Sequence, residues 1–479
     1  MNLLPRAGAL TYDGGMDWWL RAPTVIDCYA DKADSQKGKC SVVAVGADGT
    51  SLTRGSSVTV NDGATNYIFT TPLTSTTAVV CYRDEGNGNK ATCNHLTLAS
   101  SGGTITKGPD LIVRDQASYY MNVVGMTADT AIVCHRYDTS TTSNRDGDCN
   151  VLTVGSGGSL TAGSGLEFST QYTEQIFLTR MSETMAIVCW RRYVSSASDS
   201  DGYCFTLTMS GQTLTKGTDM LLQSGDTVWP SLTALSSTRA LVCWRHNVSP
   251  WKGYCAVLTV AGGASLVKST SVVINGGAST DFTSTASLSD SSAVVCYRDE
   301  GNSNKAACVH VGIGTDGSLS LGAELVVHDY SISWAGTSAL SSSSVLVCSR
   351  DDRITANYDK VCTVVTVSGT TLSKGTTLVL TKGGEMYSYL GSAALFADAP
   401  TSMPTSMPTS LGVALTYDGG VDWWLRAPTV IDCYADKADS QKGKCSVVSV
   451  GADGTSLTRG SSVTVNDGAT AFIFTTPLT

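Results

Sequence analysis

The stretch Ala78-Val79-Val80-Cys81-Tyr82-Arg83-Asp84 decides the fold, because the chain returns to it at regular intervals. It reappears as AIVCHRY at 131–137, ALVCWRH at 240–246 and AVVCYRD at 293–299. Each copy runs from small apolar residues into Cys, then a ring side chain, then Arg. An extended segment precedes it, such as Tyr67-Ile68-Phe69-Thr70 or Asp281-Phe282-Thr283-Ser284. A polar hairpin loop follows, and a second Cys enters the next strand, as in Cys255-Ala256-Val257-Leu258-Thr259-Val260. Turns such as Asp48-Gly49, Gly102-Gly103, Gly262-Gly263 and Asp316-Gly317 then lead to a fourth strand, and these dipeptides suit primed hairpin turns.

The first Cys of each unit stands at 28, 81, 134, 189, 243, 296 and 348, so the steps are 53, 53, 55, 54, 53 and 52 residues. Four short antiparallel strands repeated on this period predict an all-β, seven-bladed β-propeller with four-stranded blades. The strand grammar excludes an α-solenoid, and a parallel β-helix would need shorter coils without hairpin loops. The fourth strand carries Leu or Ile three residues before Gly: Leu52 and Gly55, Ile105 and Gly108, Leu160 and Gly163, Leu214 and Gly217, Leu319 and Gly322, and Leu372 and Gly375. The fifth unit has Ser269 instead. A recurring Gly inside a strand marks a bulge or a close backbone approach.

The 16 cysteines form eight close pairs. They are Cys28 with Cys40, Cys81 with Cys93, Cys134 with Cys149, Cys189 with Cys204, Cys243 with Cys255, Cys296 with Cys308, Cys348 with Cys362, and Cys433 with Cys445. Zinc sites want CxxC spacing with companion ligands, and only five histidines are present. The pairs therefore read as one disulfide per blade, formed in an oxidising compartment, with the protein extracellular or on the cell surface. Ring closure requires both chain ends in one blade, and residues 386–396 are expected to supply the inner strand of the blade built from residues 24–60.

Residues 399–410 read APTSMPTSMPTS, an extended Pro-rich spacer in which Thr401, Ser402, Thr405, Ser406, Thr409 and Ser410 are candidates for O-glycosylation. The only N-glycosylation sequon is Asn247-Val248-Ser249. Residues 414–479 then repeat residues 9–74 at an offset of 405. Only four positions differ: Met16 becomes Val421, Ala44 becomes Ser449, Asn66 becomes Ala471 and Tyr67 becomes Phe472. The expected organisation is an N-terminal segment at 1–10, a propeller at 11–396, a linker at 397–410, and the start of a second, near-identical propeller at 411–479. The opening MNLLPRAGALTYDGG lacks the apolar core of a signal peptide, so either the true start lies upstream or the chain is a segment of something longer.

Charge and hydropathy narrow the partners. The net charge is −9 with 15% charged residues, and there is no basic run, so nucleic acid is not expected. No apolar stretch approaches ~20 residues, so no helical membrane insertion is expected. The arginines after each Cys (Arg83, Arg136, Arg191, Arg245, Arg298 and Arg350) are open to two readings. They form an anion- or sugar-binding ring, or each pairs with a neighbouring carboxylate or stacks on an aromatic ring. Repetition in nearly every blade favours the second. The loops Asp84–Asn89 and Asp299–Asn304 crowd oxygen ligands, but without the EF-hand register. Outside the blade pattern, Trp18-Trp19-Leu20-Arg21 and Trp423-Trp424-Leu425-Arg426 place Trp18, Trp19, Arg21, Trp423, Trp424 and Arg426 as candidate partner or glycan contacts, or as a plug at the closure. There is no GxSxG elbow, P-loop, HExxH or Rossmann fingerprint, and no cofactor is expected.

With these repeats and the PTSxPTS spacer, the chain resembles secreted tandem-repeat propeller proteins of protists. The resemblance covers residues 11–396 and the partial second copy. The resulting expectation is a structural protein that is not an enzyme, self-associating into a filament, coat or flagellar hair. The alternative is a multivalent carbohydrate-binding propeller.

Overall fold

A computed structural model of the chain describes residues 24–31, 34–45, 52–395 apart from short gaps, and 429–469 apart from two. The gaps in the first unit fall at 75, 100–103, 139–144, 194–199, 248 and 250, 277, 353–358 and 382–390, and those in the second at 437–441 and 451–456. The chain divides into two compact units, the larger holding residues 20–399 and the smaller residues 400–479. The fold is all-β, of the propeller type. No helix among the described residues is long and apolar enough to cross a membrane.

In the larger unit, strand pairing resolves into seven consecutive four-stranded antiparallel modules. Module four shows the plan: Thr173–Ser182, Met185–Arg192 and Asp201–Ser210, then Thr213–Lys216 with Met220–Gln223 on the outer edge. In several modules one long strand leaves the outer edge and enters the next module as its inner strand. Leu52–Pro72, Leu111–Gly125 and Leu325–Ser341 do this, pairing first with one module and then with the next. Module one takes its inner strand from far along the chain, with Gly391–Leu395 pairing antiparallel to Thr24–Cys28. That is the predicted closing segment; its residues 386–390 and 396 lie outside the described residues.

Between the second and third strands of each module the paired cysteines stand opposite one another, and each expected bond of the larger unit is formed. Cys28 is bonded to Cys40, Cys81 to Cys93, Cys134 to Cys149 and Cys189 to Cys204. Cys243 is bonded to Cys255, Cys296 to Cys308 and Cys348 to Cys362. The Cα–Cα distances of 4.0–4.1 Å are near those of non-hydrogen-bonded antiparallel positions. The core is a series of interfaces in which neighbouring modules pack face to face. Ile132, Val151, Leu178, Val188 and Phe205 fill one between modules three and four. Leu241, Val257, Val295 and Val309 fill another between modules five and six.

Two repeated devices tie the modules together. Inner strands are sheet edges, and their spare N–H groups need acceptors. Hydroxyls of the preceding module supply them: Gly125 N donates to Thr71 Oγ1 at 2.8 Å, Ala234 N to Thr179 Oγ1 at 3.0 Å, Thr285 N to Ser231 Oγ at 2.9 Å and Thr337 N to Ser284 Oγ at 2.9 Å. The second device is the fourth-strand glycine, which marks close approach. A Cβ at Gly108 would lie 2.3 Å from Gly158 O of the next module, and one at Gly322 would lie 2.4 Å from Thr370 O. In module five, where Ser269 replaces Gly, a Cβ at Gly317 of the next module would lie 3.3 Å from Ser269 Cβ.

The smaller unit is described by itself as a three-stranded sheet, Thr429–Asp436, Lys442–Val450 and Leu457–Ala469. Its pairings repeat those of residues 24–64 at the offset of 405, with Cys433 opposite Cys445.

Module three departs from the apolar pattern at His135, which takes the position of Tyr82, Trp190 and Trp244 in its neighbours. His135 is fully buried, beside the Asn150 side chain and the Arg136 backbone. Burial pulls its imidazole down to about 4, and the nearby Arg114 guanidinium acts in the same direction. The folded protein therefore holds His135 neutral while the unfolded chain protonates it near its ordinary value. Stability from this residue is complete above about pH 6.5 and falls away as pH drops towards 4, by about 3 kcal/mol in all. The buried Asp146 and Asp148 carboxyls, raised by burial, titrate in the opposite sense. Comparison with His135→Phe isolates the histidine. The variant is expected to lose less melting temperature than the parent between about pH 7 and pH 4.5; equal losses would remove His135 as the cause.

Candidate binding face at the bulged strand ends

The inner strands share a local irregularity. Just after their start, the ladder to the second strand slips between Asn66 and Phe69, Tyr119 and Asn122, Glu174 and Phe177, Val228 and Ser231, Asp281 and Ser284, and Ser333 and Ala335. The first bulged residue has left-handed backbone at Tyr67 (φ 46°), Tyr120 (47°), Gln175 (50°) and Phe282 (50°). Large side chains avoid this region at a cost of roughly 1–2 kcal/mol each, and such strain gathers at functional positions. Trp229 and Trp334 occupy the same place in modules five and seven. Because the modules run in the same sense, these positions fall at one end of the inner-strand layer. The Tyr67 and Tyr120 rings meet there with centroids 5.3 Å apart.

Opposite the residue before each bulge stands the arginine of the Cys-ring-Arg triplet, as Arg191 faces Glu174 and Arg298 faces Asp281. The described arginines are engaged. Glu174 takes Arg191 at 3.0 Å and lies 3.9 Å from Arg136 of the preceding module. Asp281 takes Arg298 at 3.0 Å and Arg245 of the preceding module at 2.7 Å. Arg191 also reaches Asp226 at 2.6 Å, and Arg350 reaches Asp352 at 2.8 Å and Ser333 at 2.8 Å. Arg83 pairs with Glu85 and lies 4.9 Å over the Tyr119 ring, whose centroid is also 4.4 Å from the Arg136 guanidinium. The arginines thus serve as clamps between modules, as their repetition suggested. What they present outward is a set of rings: Tyr67, Tyr119, Tyr120 and Phe282, all half-buried.

In the acidic loops, Asp84 accepts from Asn61, and Asp299 accepts from Asn275 and from Gly301 N. Glu85 and Glu300 are paired to Arg83 and Arg298. The Asn247 side chain donates to Asp226, a bond that a glycan on that nitrogen would have to displace. Trp18, Trp19, Arg21, Trp423, Trp424, Arg426 and the linker residues Thr401, Ser402, Thr405, Ser406, Thr409 and Ser410 lie outside the described residues, as do the side chains of Cys433 and Cys445. In sequence the segments containing Tyr67 and Phe282 look like plain extended strands, and nothing in either one alone announces a bulge. The one available signal was a ring residue recurring eleven positions before the small apolar run, as Tyr67 before Ala78, Tyr120 before Ala131 and Phe282 before Ala293.

No protein-family model and no curated protein sequence matches the chain. Among solved structures it is similar to a candidate 6-phosphogluconolactonase from Bacteroides uniformis, at 10% identity over 78% of this chain and 100% of that one, with a TM-score of 0.53. It is also similar to a hypothetical selenium-binding protein from Sulfolobus tokodaii, at 6% identity over 77% and 96%, TM-score 0.49. A third match is an α-L-arabinanase from Penicillium chrysogenum solved with arabinobiose, at 10% identity over 60% and 88%, TM-score 0.41. At these identities the likeness concerns the fold. The expectation that the chain is not an enzyme is corrected here, because the fold is shared with a protein named as a lactonase. Missing short motifs are a poor guide in such a fold, where a site draws single residues from several modules.

Proposed function

We propose that this chain is a secreted, disulfide-stabilised propeller whose bulged, aromatic end binds glycans. In this reading the seven modules close into one ring, and tandem rings on Pro/Thr/Ser spacers bind repeated ligands with gain in avidity. The observation that carries it is the left-handed backbone at Tyr67, Tyr120, Gln175 and Phe282, a strain repeated at one end of the inner strands. Sugar rings stack on aromatic faces, and arginines and carboxylates already fixed between modules offer donors and acceptors beside them. The second copy keeps an aromatic ring at the position where it differs, Phe472 for Tyr67. The seven fully buried disulfides fit a site of action outside the cell.

The test is glycan-array binding by the non-reduced protein, native and with Tyr120→Gly. Glycine adopts the left-handed conformation freely, so the fold is retained while the ring is lost. Binding is expected to fall by about tenfold or more, the equivalent of about 1.4 kcal/mol. A native protein that binds no glycan ends this reading, and binding that survives the substitution moves it off this face. The near-identical second copy favours a further reading, head-to-tail assembly of identical rings into a filament. Electron microscopy of native material would then show rings in regular contact, whereas rings strung loosely would count against it.

A further inference from the structure

Modules three and four break the repeat together. The residue three after the first Cys is Asp31, Asp84, Asp299 and Asp351 in modules one, two, six and seven; module five has His246, and modules three and four have Tyr137 and Arg192. The same two modules carry the longest disulfide loops, 15 residues in each against 12 or 14 elsewhere. Between them lies a cleft of about 340 Å³, within the range of small-ligand pockets. Glu167, Phe168, Trp190, Arg192, Tyr203 and Asp219 line it.

Two buried donors on its walls, Trp190 Nε1 and Arg192 Nε, have no hydrogen-bond partner. The equivalent Trp244 of module five also has an unpartnered Nε1 but is covered completely, whereas Trp190 is 4% exposed and borders the cleft. The far end of the Arg192 guanidinium pairs with Asp201 at 2.6 Å, which fixes the direction of its bare Nε. Two carboxylates face the same space. Glu167 is held by the Tyr137 hydroxyl at 2.7 Å, and Asp219 is held by Lys216 at 2.7 Å. Tyr137 is fixed in turn by the Arg114 guanidinium, 3.6 Å from its ring centroid, which also pairs with Asp148 at 2.6 Å. Bare donors and held acceptors in one cleft are both satisfied only by a group that donates and accepts, and a hydroxyl does so. The half-buried Tyr203 ring adds apolar surface against which a sugar ring can lie, backed by the buried Trp190 and Phe168.

We propose that this cleft between modules three and four is a ligand site of its own, separate from the bulged face, and that it takes a single polyhydroxylated ring. Trp190 and Arg192 donate to its hydroxyls, Glu167 accepts from them, and Tyr137 is a positioning residue that acts through Glu167.

The experiment is saturation-transfer NMR on the disulfide-intact protein with D-glucose, D-galactose, D-mannose, L-arabinose and N-acetylglucosamine as separate probes. At least one is expected to bind saturably. Glu167→Gln and Trp190→Phe are each expected to weaken that probe by about tenfold or more, as loss of a charge-assisted or buried hydrogen bond implies. Tyr120→Gly, which tests the other face, is expected to leave it unchanged. Saturable binding by none of the five, binding that survives both cleft substitutions, or binding abolished by Tyr120→Gly overturns the proposal. Glu167 is exposed, so Glu167→Gln decides the matter even where Trp190→Phe disturbs packing. Failure on the glycan array with success here leaves the cleft standing and removes only the bulged-face reading.

Discussion

Asp281→Ala is expected to lower folding stability by about 3–5 kcal/mol, read as a fall in the urea midpoint. Asp281 is 5% exposed and holds Arg245 of module five at 2.7 Å and Arg298 of its own module at 3.0 Å. Removing the carboxylate leaves two largely buried guanidiniums facing each other, with only Glu300 left as an ionic partner for Arg298. The cost comes from that uncompensated charge and exceeds the net worth of the pair, so exchanging the charged cluster for apolar residues is expected to cost far less. Lys305–Asp329 is the control, because its carboxylate is 77% exposed. Asp329→Ala should leave the urea midpoint essentially unchanged. Equal midpoints for the two variants would mean that the clamps between modules contribute nothing particular.

Disulfide reduction is expected to have the other large effect, but only after unfolding. All fourteen bonded cysteines have no exposed surface. Dithiothreitol incubated with the native protein and removed before heating should therefore leave its melting temperature unchanged. Reduction and alkylation in urea, followed by dilution, should give a chain that does not regain its native fold. Each bond constrains a loop of 12 to 15 residues and contributes about 3 kcal/mol by loop-closure entropy. The double variant Cys243→Ala with Cys255→Ala is expected to lose about 2–5 kcal/mol. Rapid reduction under native conditions would show that the modules open far more readily than their packing implies.

The repeat was legible because its grammar is local. Cys, apolar run, hairpin and Gly-rich turn all fall within one 53-residue period, and strand pairing inside a module follows from that spacing. The bonds of Cys134 to Cys149, Cys189 to Cys204, Cys296 to Cys308 and Cys348 to Cys362 could be read in the same way, each partner being the next Cys along the chain. The second copy was visible by likeness of sequence, and the closing segment followed from the need to bring both ends of the repeat array into one blade. Links between modules were harder to see. A hydroxyl such as Thr179 bonding Ala234 N acts across 55 residues and looks in sequence like any other Thr. The left-handed Tyr67, Tyr120, Gln175 and Phe282 run against residue preference, so no propensity points to them. The cleft of modules three and four needs Glu167, Trp190 and Asp219 together, and only the fold brings them there. The fourth-strand glycine was half legible: its pattern showed that something approached, while the approaching carbonyl belonged to the next module. Reading the chain as a non-enzyme failed on the same ground, because it looked for contiguous motifs.

The closing strand sets a timetable for synthesis. Among the described strands of the larger unit Thr24–Asp31 is made first, yet its inner neighbour Gly391–Leu395 is made last. At roughly 5–20 residues per second, the first module waits on the order of 20 to 70 seconds with one edge bare. Its disulfide does not have to wait. Cys28 and Cys40 are only 12 residues apart, so the hairpin can be locked as soon as it emerges. Each later bond is equally local and has its partner beside it before any distant thiol appears. The staples that harden the finished protein thus also keep the nascent chain in register until the final strand arrives.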